Sequence, residues 1–165
     1  MNTNEEIPTP SCIDVVASWL DLNEQNYFVS PEGAVIQFQF DLNEVTLSIG
    51  CFESEGFFTT VAVFPVKSSK DKRQQVGDYL DGVRHGTADR AIEVGYSLED
   101  GEVRLRIRED LALTVLDQSV FELILRTLFF YAEKIFPFLN CVMTGAMKPE
   151  FAIDQTLAAV NYKTN

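Results

Sequence analysis

His85 is the only histidine in the chain, and an imidazole is the usual group that activates a serine or cysteine nucleophile or completes a zinc site. It stands between Arg84 and Gly86, where a helix is expected to end. As a cation there it would complement the helix dipole, a structural use that competes with any catalytic one. Cys12, Cys51 and Cys141 lie far apart and form no CxxC pair. With one histidine they have too few ligands at the wrong spacings for zinc, and they read as reduced, mostly buried thiols. No GxGxxG follows a strand and no Walker lysine is present, so no nucleotide cradle is indicated. Glu53/Glu55 and Glu109/Asp110 could bind calcium weakly, but no EF-hand spacing supports it, and carboxylate pairs are common in so acidic a chain. The expectation is no catalytic residue, no metal and no cofactor.

Two patches have the residue types of a binding surface. Arg104, Arg106 and Arg108 form a basic stripe on one face of an expected strand, which could hold an acidic partner segment. Pairing with Glu93 across a hairpin is the competing use. Phe57, Val61, Val63, Phe129 and Phe130 belong to two segments too apolar to be covered easily within one small chain. They are the candidate interface, either for a second copy or for an amphipathic segment of another protein. The Phe-rich helix could also line a small-molecule pocket, an alternative that would make the chain a ligand-binding or enzymatic domain.

The elements that must position these residues follow from periodicity. Residues 1–10 carry Pro8 and Pro10 and read as a flexible arm; 11–165 form a single domain. Ser11 or Thr9 can cap a first helix bearing Ile13, Val16, Ala17 and Leu20, with Trp19 placed to anchor it on a sheet. A two-residue period then begins: Ile36, Phe38 and Phe40 alternate with glutamines, and Val45, Leu47 and Ile49 with Thr46 and Ser48. A turn at Leu42-Asn43 would set Phe40 opposite Val45, Phe38 opposite Leu47 and Ile36 opposite Ile49. The strand from Phe57 to Pro65 is apolar on both faces, as in a strand covered on both sides.

Ser68 and Ser69 offer caps to a second helix reaching about Arg84, with Gly77 and Gly82 weakening it and Gly86 stopping it. Asp100-Gly101 predicts a tight hairpin pairing Leu98 with Val103, Tyr96 with Leu105 and Val94 with Ile107. Its other face would pair Ser97 with Arg104, Gly95 with Arg106 and Glu93 with Arg108. Asp117 or Ser119 caps a third helix expected to end at Phe136 before Pro137, and a last helix begins near Pro149. The order is α-β-β-β-α-β-β-α-α, an α+β fold with helices packed on an antiparallel sheet.

Composition bounds the partners. Hydrophobic residues make up 46% of 165 positions, and 25 acids against 13 Lys and Arg give a formal charge of −12. Such a chain carries a full core and is a poor match for nucleic acid or anionic lipid. The apolar run from Phe121 to Leu139 is interrupted by Glu122, Arg126, Glu133 and Lys134, so no membrane span is expected. The N-terminus lacks the pattern of a signal peptide, and the expected location is the cytoplasm.

Lys72-Arg73-Gln74-Gln75-Val76-Gly77-Asp78-Tyr79-Leu80-Asp81, followed by Gly86 and then Glu102-Val103-Arg104-Leu105-Arg106, resembles the YbjN family of bacterial proteins. Trp19-Leu20, Thr46-Leu47-Ser48-Ile49, and Gly145 followed by Pro149-Glu150 and Ala152-Ile153 extend the resemblance over most of the chain. It implies a fold like type III secretion chaperones and commonly a homodimer. It also implies a role in regulation or in escorting another protein, without catalytic residues to carry over. The functional expectation is a non-enzymatic protein-binding module with an unidentified protein partner.

Overall fold

The computed structural model describes residues 10–88, 92–97 and 99–161. The arm expected over 1–10 falls outside them except for Pro10. The fold is α+β: α1 (Cys12–Leu22), β1 (Tyr27–Val29), β2 (Val35–Asp41), β3 (Thr46–Ser54), β4 (Phe57–Lys67), α2 (Arg73–Gly86), β5 (Ile92–Tyr96), β6 (Glu102–Asp110), α3 (Gln118–Thr144) and α4 (Pro149–Asn161). The expected order holds, with the short strand β1 added ahead of the first long one. All six strands pair antiparallel in the spatial order β1-β2-β3-β4-β6-β5.

One set of side chains faces the helices in continuous rows. Ile36, Cys51, Thr60, Ile107 and Ile92 stand side by side across five strands, and Phe38, Ile49, Ala62, Leu105 and Val94 form the next row. All ten are buried. The helices cover this face alone: α1 packs on β2 and β3, α3 on β6 and α2 on β5, while α4 closes against α2 and α3. Trp19 of α1 meets the ring of Phe121 on α3, centroid to centroid at 5.4 Å, and packs against the core. Helices cover β4 on its Phe58/Thr60/Ala62/Phe64 side only, which corrects the expectation of cover on both sides; on the other side Thr59 is buried and Phe57, Val61 and Val63 half-buried among neighbouring side chains of the sheet.

Both hairpins keep the expected faces but slip by two residues. Phe40 pairs with Leu47, Phe38 with Ile49 and Ile36 with Cys51, because the turn is Asn43-Glu44, closed by Leu42 and Val45. In the second hairpin Tyr96 pairs with Val103, Val94 with Leu105 and Ile92 with Ile107. Its loop is longer than a two-residue turn. The Ser97 carbonyl accepts from the Gly101 N–H, the Asp100 carboxylate accepts from the Glu102 N–H, and Gly101 takes a φ of 74°. The Leu98 partner expected for Val103 lies outside the described residues.

Ser11 caps α1 with a capping box to Asp14, and Asp117 caps α3. The helix α2 starts later than expected, at Arg73, because Ser68 is used elsewhere. Its hydroxyl lies 2.6 Å from the Tyr96 hydroxyl and its N–H donates to the Gly101 carbonyl. Pro137 does not end α3, which continues to Thr144 and stops at the left-handed Gly145. Two residues before Pro137, the Ile135 carbonyl accepts from the buried Tyr79 hydroxyl, which also sits 2.8 Å from the Thr156 hydroxyl. Gly82 and Gly86 serve a close crossing of helices: a Cβ on either would overlap Ile153 or Leu157 of α4.

Candidate functional site

The other face of the sheet is the site. Among the described residues no helix packs on it, and its side chains also run in rows. Gln37, Gly50, Val61, Arg106 and Glu93 form one row; Gln39, Ser48, Val63, Arg104 and Gly95 form the next. Val35, Phe52, Thr59 and Arg108 form a third, and Phe57 lies beyond, opposite Asp110. The curved sheet encloses a concavity of about 1110 Å³ over these rows. Gly50 deepens its floor, since a Cβ there would project into open space.

The structure thus joins two patches that are separate in the sequence. Phe57, Val61 and Val63 of β4 stand beside Arg108, Arg106 and Arg104 of β6 because these strands are neighbours in the sheet. Phe57, Val61 and Val63 are half-buried, lacking a covering layer but shaded by the longer side chains around them. Phe129 and Phe130 lie elsewhere. Phe129 stacks on Phe40 at 4.3 Å on the helical side, and Phe130 makes an edge contact with Tyr131. Both pack against the core, and α1, α2 and α4 together cover much of α3.

The register decides which arginines are neutralised. Glu93 stands opposite Arg106, not Arg108, and the two form an ion pair through both Nε and Nη2. Arg104 pairs with Glu102 on its own strand at 2.5 Å. Arg108 has its guanidinium carbon 4.2 Å from the centroid of the Phe57 ring, a cation–π contact. Arg84, from the last turn of α2, reaches the same concavity. Arg84 and Arg108 make no ion pair among the described residues.

His85 and the cysteines sit in structural positions. The His85 Nδ1 donates to the Asp81 carbonyl at 2.7 Å on the exposed end of α2. Cys51 is buried and Cys12 and Cys141 half-buried, all as free thiols. Burial pushes the Cys51 thiol up to about 12, and burial with help from the Glu53 carboxylate pushes Cys12 up to about 11. Both are poor nucleophiles near neutral pH. Burial likewise raises the Tyr79 phenol above its ordinary value. Among the described residues no group of three or more His, Cys, Asp or Glu could hold a metal ion, and no helix is long and apolar enough to cross a membrane.

The chain was compared with known protein families and with curated proteins, and it matches none of them.

Proposed function

We propose that this chain is a non-enzymatic protein-binding module, a regulator or chaperone-like escort in the cytoplasm, and that it binds through the uncovered face of its sheet. One observation carries the reading: a six-stranded sheet packs its helices on one side and leaves Val35, Phe52, Val61 and Val63 in a concavity on the other, with Phe57 on the same face beyond it. Apolar side chains gathered on an open surface, rimmed by polar ones, are the usual mark of an interaction site. The polar groups around them favour binding over catalysis. They are arginines, glutamates, glutamines and hydroxyls, and among the described residues that line the concavity there is no histidine, lysine or cysteine to serve as base or thiol nucleophile. Net charge −12 speaks against nucleic acid as the partner.

The same face is open to a second copy of the chain, and a homodimer remains part of the proposal. Light scattering at micromolar concentration decides that part: an 18.6 kDa particle unchanged on dilution leaves the face to a foreign partner. The partner itself is tested by affinity capture from the native cell, run side by side with wild type and Val61→Asp. A protein retained by the first and lost by the second is the expected result. Equal retention by both would remove the sheet face as the binding surface.

A further inference from the structure

The open face carries two rows of different chemistry in register, and this determines what kind of segment fits. Antiparallel pairing sets Arg104 beside Val63, Arg106 beside Val61 and Arg108 beside Thr59. Each row repeats every second residue, about 6.7 Å along the strand. An extended polypeptide laid along this seam repeats its own side chains at the same interval, one set to each edge. One edge then runs over the arginines of β6, and the other over Val61, Val63 and Phe52.

Charge sets the sign of that partner. The whole chain has nearly twice as many acids as Lys and Arg, 25 against 13. Within the concavity the balance tips the other way, Arg84, Arg104 and Arg106 standing against Glu93 and Glu102, while further along the same face Arg108 is followed by Asp110, and Asp41 lies at the far end of β2. Only two of the four arginines have a carboxylate partner among the described residues; the Arg106–Glu93 pair is about half accessible on both sides, while in the Arg104–Glu102 pair the arginine is half accessible and Glu102 mostly covered. Pairs exposed on both sides are held weakly and exchange partners readily. An incoming carboxylate bound bidentately by a guanidinium competes well with them. Arg108, with its guanidinium carbon 4.2 Å from the centroid of the Phe57 ring, is already placed on this face with N–H groups to offer.

We infer that the segment bound on the open face is an extended stretch of another protein in which Asp or Glu alternates with aliphatic residues. Its carboxylates lie over Arg104, Arg106 and Arg108 and its aliphatic side chains over Val61 and Val63. This rests on the protein-binding reading of the face and adds the chemistry of the occupant.

The test is a selection from a random twelve-residue peptide library displayed on phage, with the purified full chain as target. Enriched peptides are then measured by fluorescence anisotropy against wild type, Val61→Asp, and the triple variant Arg104→Gln/Arg106→Gln/Arg108→Gln. All three proteins are checked for unchanged circular dichroism and melting. The expected result is enrichment of alternating acidic and aliphatic residues, with affinity reduced at least about tenfold by either variant. Peptides lost on Val61→Asp but lacking acids, or indifferent to the arginine changes, would overturn the inference while leaving the binding face intact. Peptides indifferent to both variants, or no enrichment, would overturn both. A dimer that Val61→Asp dissociates and the peptides fail to displace would make a second copy the occupant, again overturning the inference.

Discussion

Val61 of β4 stands directly opposite Arg106 of β6 on the side of the sheet that carries no helices. The pair joins an apolar row to a cationic row, and neither strand alone reveals it. The core beneath is what holds both rows at a fixed spacing, so predictions about its stability are also predictions about the site.

Gly82→Ala should destabilise the fold by about 1–3 kcal/mol through overpacking. In an open helix the same change would stabilise by about 1 kcal/mol. The sign reverses because the added methyl overlaps Ile153, a β-branched side chain with one strongly preferred helical rotamer that cannot swing aside freely. Chemical denaturation of Gly82→Ala beside Gly50→Ala checks this, since Gly50 faces open space and should tolerate the methyl. Equal midpoints for the two variants would contradict the close crossing of α2 and α4.

Tyr79→Phe should cost about 1–2 kcal/mol, because it removes a buried hydroxyl that bonds the Ile135 carbonyl and neighbours Thr156. A thermal melt reads the loss. An unchanged melting temperature would mean the hydroxyl contributes nothing to holding α2, α3 and α4 together.

Acid should weaken the turns before it weakens the core. The Ser11 hydroxyl and N–H hold the Asp14 carboxyl below its ordinary value, and the Ser97 hydroxyl and then the Glu102 N–H do the same for Asp100. A carboxyl depressed in the folded state contributes stability that is present above its unfolded value and lost as pH falls through the folded one. The denaturation midpoint should therefore drop as pH falls below about 4. Asp14→Asn should drop less steeply than wild type; an identical pH profile would contradict the role given to this cap.

The sequence carries the faces of the strands more securely than their register. Alternation places Phe38 and Val94 on the core side whether or not the pairing slips by two residues, because a shift of two preserves every face. Register is decided by the loops, and neither Asn43-Glu44 nor the longer loop closed by Ser97 and Glu102 has a hydrophobic signature. The site was legible in parts. Arg104, Arg106 and Arg108 and the row from Phe57 to Val63 were visible singly, but their adjacency depends on β4 pairing with β6 across the intervening α2 and β5. Pro137 was expected to end α3 because local propensity disfavours it in a helix interior, yet α3 continues through it, whereas Gly82, equally disfavoured, lies in the helix expected there and gains its use from the close packing of α2 on α4.

The claim that the uncovered sheet face is the binding surface is tested most directly by photo-crosslinking in the native cell. A benzophenone amino acid replaces Val61 in one variant, and Phe151, exposed on α4, in another. The account predicts a covalent adduct with another polypeptide from position 61 and none from position 151. An adduct from position 151 alone, with position 61 silent on illumination, would contradict it.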